Sequence, residues 1–315
     1  MQAKAVIGRA ASTLALLAAA TLAGCGLGAG PAPSAVQLAV TRDFGASRLP
    51  HSGALKISGQ ETAMSMLIRN YSVSTRYGGG FVQSVDGLAG GREASGPVDW
   101  FYYVNGVEAS KGAAATNVDP GDHIWWDRHD WSQTDHIPAV VGSFPEPFLN
   151  GLEGKRLPVR IECVVVSGIA CRTVAERMRA LDIPAAIAGV GLGGAPATLR
   201  VLVGPWSNVV GDLDARSIGE GPRASGVYAR FSSGGRTLTL LDQNGAATRT
   251  LSAGAGLVAA TRRAEDAPVW VVTGTDEAGV NLASSAFNEA ALHDRFAVAL
   301  TTGETLALPT TGATP

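Results

Sequence analysis

At 315 residues, 46% apolar and 17% charged, the chain has the make-up of a globular protein long enough for two packed units. A formal net charge of −2, with no basic cluster, argues against a nucleic-acid binder. Its forty glycines point to long connections between elements.

The N-terminus reads as a targeting segment. Lys4 and Arg9 precede an apolar run from Ala10 to Ala23, shorter than the roughly 20 residues a membrane-spanning helix needs. The run ends in Leu22-Ala23-Gly24-Cys25, which resembles the lipobox of bacterial lipoproteins. The resemblance implies a signal peptide over residues 1–24, lipidation of Cys25, and anchoring at the extracytoplasmic face of the cell membrane. Acyl chains contribute about 0.8 kcal/mol per buried CH₂, so two or three of them anchor stably. Loss of the leader leaves 23 basic against 27 acidic residues. Cys163 and Cys171 then remain as an even pair outside the cytoplasm, where a disulfide is expected. Two buried free thiols or a thiolate metal site are the alternatives.

Residues 25–35 are rich in small side chains and form a flexible tether. Val36–Arg42 alternates as a strand. An N-cap before Ala63 opens a short amphipathic helix over Ala63–Asn70, with Met64, Leu67 and Ile68 at helical spacing. Strands follow over Tyr71–Tyr77 and Phe81–Val85, around Gly78-Gly79-Gly80. The stretch Asp99–Trp131 holds four of the six tryptophans. Within it, Trp100–Val104 is a β-prone run ended by Asn105-Gly106, a strong hairpin turn signal. Asp119-Pro120-Gly121-Asp122 is a second turn, and His123–His129 resumes as a strand.

The pieces SGQETAMSMLIRNY, GGGFVQSVDG, DWFYYVNGVEASKGAA and VDPGDHIWWD resemble the domain that closes transcobalamin and intrinsic factor. In many bacterial surface proteins the same domain stands alone with no assigned function. The resemblance implies a β-grasp-like domain over residues 36–135, a short helix packed on a mixed sheet. It also implies a small ligand, with cobalamin or another tetrapyrrole first in line, carried towards a membrane transporter. The vitamin carriers add a long helical N-terminal domain that forms the other face of their site. Here residues 150–315 would have to supply that face.

Residues 136–158 contain Pro138, Pro145 and Pro147 and read as an extended crossover. Residues 159–315 alternate strand and helix, the pattern of an α/β domain. Strands are expected at Val159–Val166, Leu199–Val203, Gly226–Phe231, Arg236–Asp242, Val269–Thr273, Phe296–Leu300 and Glu304–Leu308. Helices are expected at Cys171–Leu181, Asp212–Glu220 and Val280–His293. The fold class is α+β: a β-grasp-like N-terminal domain followed by an α/β domain.

Two constellations are candidates for binding. Trp100, Tyr102, Asn105, Trp125, Trp126 and Trp131 would form an apolar wall for a flat conjugated ligand, or else fill the core of a small domain. His123, Asp127 and His129 share one strand face, since side chains repeat with period two. They form an ordinary polar face, a transition-metal site, or a source of an axial ligand to cobalt. Glu146 is a lone carboxylate in a rigid loop, read as structural. Gly189–Gly194 spells GxGxxG, but Pro196 and a strand follow where a dinucleotide site needs a helix. No nucleophile elbow, HExxH or triad appears. The expected function is non-catalytic capture of a small ligand; the alternative is a structural or protein–protein interaction module of the envelope.

Overall fold

Thr62 opens the first helix as anticipated. In the computed structural model, which describes residues 1–2, 35–191 and 195–311, the Thr62 hydroxyl accepts from the Ser65 N–H, and Ser65 Oγ accepts in turn from the Thr62 N–H. This capping box starts a helix over Ala63–Asn70 that buries Ala63, Met64, Met66 and Leu67. Its apolar stripe lies on a seven-stranded mixed sheet. The central strand of that sheet, His123–Asp130, runs parallel to Ala35–Arg42 and antiparallel to Pro97–Val104. Asn105 and Gly106, both at positive φ, turn Pro97–Val104 back into Val107–Glu108. A smaller sheet of Val73–Arg76, Phe81–Val85 and Leu88–Ala89 stands beside it.

The second large sheet orders its strands Ala185–Gly189, Val159–Cys163, Leu199–Pro205, Val269–Gly274, Gly256–Thr261, Ala297–Thr301, Glu304–Leu308. The first four are parallel and the remainder antiparallel. One face packs on the helices Ile169–Ala180 and Glu277–Ser285, through Ile161, Val174, Met178, Val201, Trp270 and Val280. Its other face packs against a three-stranded antiparallel sheet (Ala229–Phe231, Leu238–Leu241, Ala247–Leu251) and against the first sheet. The content is α+β. Cys163 and Cys171 are disulfide-bonded, with their Cα atoms 5.9 Å apart.

Two expectations need correction. The helix anticipated over Val280–His293 is two helices, Glu277–Ser285 and Glu289–Leu292. Asn288 breaks the run because its side chain accepts the Ala291 N–H and restarts the helix as an N-cap. Within the second large sheet, two strands also stand where none is expected, Ala185–Gly189 and Gly256–Thr261. Both are rich in Ala and Gly, so neither alternation nor a β-branched run marks them. Cys25, the leader from residue 3 onwards and the tether through Ser34 lie outside the described residues, as do Leu192–Gly194 of the GxGxxG match. No helix among the described residues is long and apolar enough to cross a membrane.

The two sheets share a core within one compact unit, Ala32–Pro315. Ala39, Phe44, Tyr103 and Trp125 from the first meet Tyr228, Leu257 and Phe296 from the second half. The crossover is part of that seam. Ile137 and Val140 join this core, and Val141, Phe144 and Phe148 join the one beneath the helices. Arg48 adds a two-pronged ion pair with Asp294, at 2.6 and 2.7 Å.

Gly45 sits where the halves touch, with φ +82; a Cβ there would stand 1.8 Å from the Asp294 carbonyl oxygen. Gly45→Ala is expected to lower stability by more than about 2 kcal/mol in urea titration. Gly254→Ala, at φ +78 with open space around it, should cost only about 1 kcal/mol. Equal losses would mean that the close approach contributes nothing.

Candidate functional site

Strand alternation decides where the aromatic residues go. Trp126, Trp100 and the half-buried Tyr102 point to the helix side and join Leu38, Met66 and Leu67 in the core. Tyr102 stacks on Trp126 with ring centroids 4.7 Å apart, and its hydroxyl donates to the Lys111 carbonyl. Trp125, Asp127 and His129 point the opposite way, into the seam between the halves. Trp131 is half-buried, its Nε1–H donating to Asp99. Asn105 is buried; its amide donates to Asp122 Oδ1 and to the Gly151 carbonyl, both at 2.8 Å, and its Oδ1 accepts the His123 N–H. Trp100, Trp125 and Trp126 therefore spend their rings in packing.

Asp127 is the most fully engaged polar group in the seam. It is wholly buried and accepts from the Thr41 hydroxyl (2.5 Å), the Phe44 N–H (3.1 Å), the Gly45 N–H (2.9 Å) and His129 Nδ1 (2.9 Å). Trp125 Nε1–H donates to Thr41 Oγ1 at 2.7 Å. His129 is 2% exposed, its ring stacked between Phe44 and Phe101 at 4.6 and 4.5 Å. His123 is also buried and parallel to the Trp125 ring, and desolvation pushes its pKa down to about 4. No group of three or more His, Cys, Asp or Glu side chains among the described residues is placed to hold a metal ion. His123, Asp127 and His129 are thus brought together on one face, as packing and hydrogen-bonding groups.

Concave space lies at the rim of the seam. A cavity of about 610 Å³ opens between the hairpin Val104–Lys111, the turn that carries Asp119 and Asp122, the segment Leu152–Leu157, and two loops of the second half at Pro196–Ala197 and Arg262–Ala267. That size falls in the range of small-molecule sites. Its wall carries six carboxylates, Glu108, Asp119, Asp122, Glu153, Glu265 and Asp266, against Lys111, Lys155 and Arg262. Two of these cations are already engaged, Lys111 with Glu153 at 2.8 Å and Arg262 with Glu265 at 3.1 Å. The wall as a whole disfavours an anionic guest.

The wall is braced from behind. Asn105 ties Asp122 to Gly151, and Asn150 ties the Gly121 carbonyl to Glu146. Glu146 lies between Pro145 and Pro147, 5% exposed, accepting only from Asn150; burial pushes its pKa up to about 7. Of the anticipated ligand contacts, Asn105 and Tyr102 reach this site, both from the second layer: Asn105 through Asp122, and Tyr102 through Lys111 and Thr116. The lining residues carry no local motif, since they come from five loops far apart in sequence. A second cavity of about 510 Å³ lies over Arg200, Asp212 and Asp214, where Arg200 is saturated by Glu162 and Asp212.

A family model described as a domain of unknown function (DUF4430) matches residues 60–130, from just before the capped helix through the end of the central strand. No curated protein matches the chain, and no solved structure does.

Glu146 and His123 give opposite pH signatures. With a folded pKa near 7 against 4.5, Glu146 contributes full stability below about pH 4.5 and loses it as pH rises to 7, roughly 3 kcal/mol in all. His123, with a folded pKa of about 4 against 6.5, contributes above 6.5 and loses its share as pH falls towards 4. Glu146→Gln should therefore make stability climb more steeply with pH between 5 and 6.5 than in the parent. His123→Phe should tilt it the other way. Urea midpoints that run parallel to the parent's across that window would refute both assignments.

Proposed function

We propose that this chain is an envelope lipoprotein that captures a small ligand in the junction cavity and presents it to a membrane transporter. One observation carries the reading: the family-matched stretch lines this cavity together with loops of the second half. The resemblance to the transcobalamin-type domain, read here as β-grasp-like and followed by an α/β domain, adds a ligand-binding precedent. Disulfide bonding of Cys163 to Cys171 fits the extracytoplasmic side of the membrane, where a lipidated Cys25 would hold the chain.

A cobamide is the first ligand to try. It would be held by its periphery, because His123 and His129 are 7% and 2% exposed and neither offers an imidazole to cobalt. The acidic wall fits a neutral or cationic guest.

The test is an absorbance titration of hydroxocobalamin with the chain starting at Gly26. Saturable corrin-band changes are expected, and Ala197→Trp, an exposed position on the cavity wall, should weaken them at least tenfold by filling the space. Saturation untouched by Ala197→Trp would place binding elsewhere. Flat spectra at tens of micromolar protein would rule out cobamide capture.

A further inference from the structure

Apart from Met1, seven large apolar side chains stand exposed among the described residues, and four of them converge on one edge of the second sheet. Scattered singly, such residues need no account; a cluster does. Val165, Val166 and Ile169 are 52%, 49% and 61% exposed; the two valines lie in the loop joining Val159–Cys163 to the helix Ile169–Ala180, and Ile169 is the first residue of that helix. Ile187, 46% exposed, lies on the neighbouring edge strand, where the Val190 N–H donates to the Cys163 carbonyl.

The loop has little freedom to hide these groups. Its ends are joined by the Cys163–Cys171 disulfide. The Gly168 N–H donates to the Val165 carbonyl at 2.9 Å, and Arg172 donates to the Ser167 carbonyl. Val164, the loop's inward residue, packs against the core. The apolar tip is thus held out in a fixed shape, and docking it would forfeit little conformational entropy.

What covers the tip is indicated by its surroundings. The helix that leaves the loop buries Ala170, Cys171, Val174, Ala175 and Met178. That leaves Arg172, Arg177 and Arg179 exposed, with Glu176 as the acid among them. Apolar groups flanked by arginines match the interfacial zone of an anionic bilayer. A symmetric contact with a second copy would set arginine against arginine. Only nine residues, 26–34, separate Cys25 from the first strand, a span of at most about 30 Å. A lipid on Cys25 would hold the fold within that distance of the membrane. We propose that the loop closed by Cys163 and Cys171, with the arginine face of the helix that follows it, docks the folded chain on an anionic bilayer surface. The tether argument rests on the lipoprotein reading; the loop and its arginines stand apart from it.

The experiment uses the unlipidated chain from Gly26, which contains the whole compact unit, and sedimentation with two kinds of vesicle. Vesicles of equal parts phosphatidylcholine and phosphatidylglycerol should bind it, and pure phosphatidylcholine should bind it more weakly. Val165→Asp with Val166→Asp should lower the partition coefficient about tenfold at an unchanged thermal midpoint. Arg177→Gln with Arg179→Gln should lower binding to the anionic vesicles and leave the residual binding to phosphatidylcholine as it was. The proposal is overturned if the parent chain sediments with neither vesicle. It is equally overturned if the aspartate pair binds like the parent, or if the aspartate pair instead abolishes a dimer seen without lipid. Lipidation is read separately, from the mass of full-length chain purified from membranes and its loss in Cys25→Ser. A lipidated chain whose Gly26 form ignores vesicles keeps the anchor and discards the docking face. An unlipidated chain whose Gly26 form binds does the reverse.

Discussion

The seam between the two halves is organised by one buried carboxylate. Taking a carboxylate such as that of Asp127 out of water costs several kcal/mol unless donors surround it. Here four converge on it, and two of them are backbone N–H groups of Phe44 and Gly45. Those bonds dictate the path of the loop Asp43–Gly45, three consecutive residues at positive φ. For Phe44 such a conformation costs about 1–2 kcal/mol. The strain persists because the carboxylate holds both neighbouring amides and because the Phe44 ring gains contacts with His129, Tyr228 and Phe296. Through that ring and the close approach of Gly45 to Asp294, one side chain of the first sheet sets how the second half sits against it.

The same geometry relocates the site. The central strand, flanked by strands on both sides, is covered by the helix on one face and by the second half on the other. All eight of its residues are buried, so an aromatic wall facing a ligand has no open side. Concave space is left where the loops at the end of this sandwich fail to close on those of the second half. Asn105 illustrates the coupling: a turn residue at positive φ whose amide braces both Asp122 and the crossover at Gly151.

Much of this was legible from local chemistry. The helix Ala63–Asn70, the Asn105-Gly106 turn and most strands of the second half each carry their own signal in capping, turn residues or alternation. Alternation along His123–His129 also separated Trp126 from Trp125 correctly. It could not say that both faces would be covered, because period two reports which side a residue takes and nothing about what lies there. The cavity was illegible for a related reason. Glu108, Asp119, Lys155 and Asp266 are ordinary loop residues whose meeting depends on the register of two sheets and a crossover. Ala185–Gly189 escaped notice because an alanine-rich edge strand lacks both alternation and bulk.

The seam bears on what the family-matched stretch can do alone. Residues 60–130 include Tyr103, Trp125 and His129, and in this chain their cover comes from Tyr228, Phe296 and Val140, beyond the match. Stripped of that cover, the sheet would present a contiguous aromatic face enclosing a hydrogen-bonded carboxylate, a surface of the kind that marks an interface. The β-rich unit is therefore one wall of a larger body. Its neighbour supplies what the strand alternation demands on the second face, and the cavity arises at the rim of that contact. Any ligand bound there would touch both halves, so its affinity would depend on the Asp127 network that joins them.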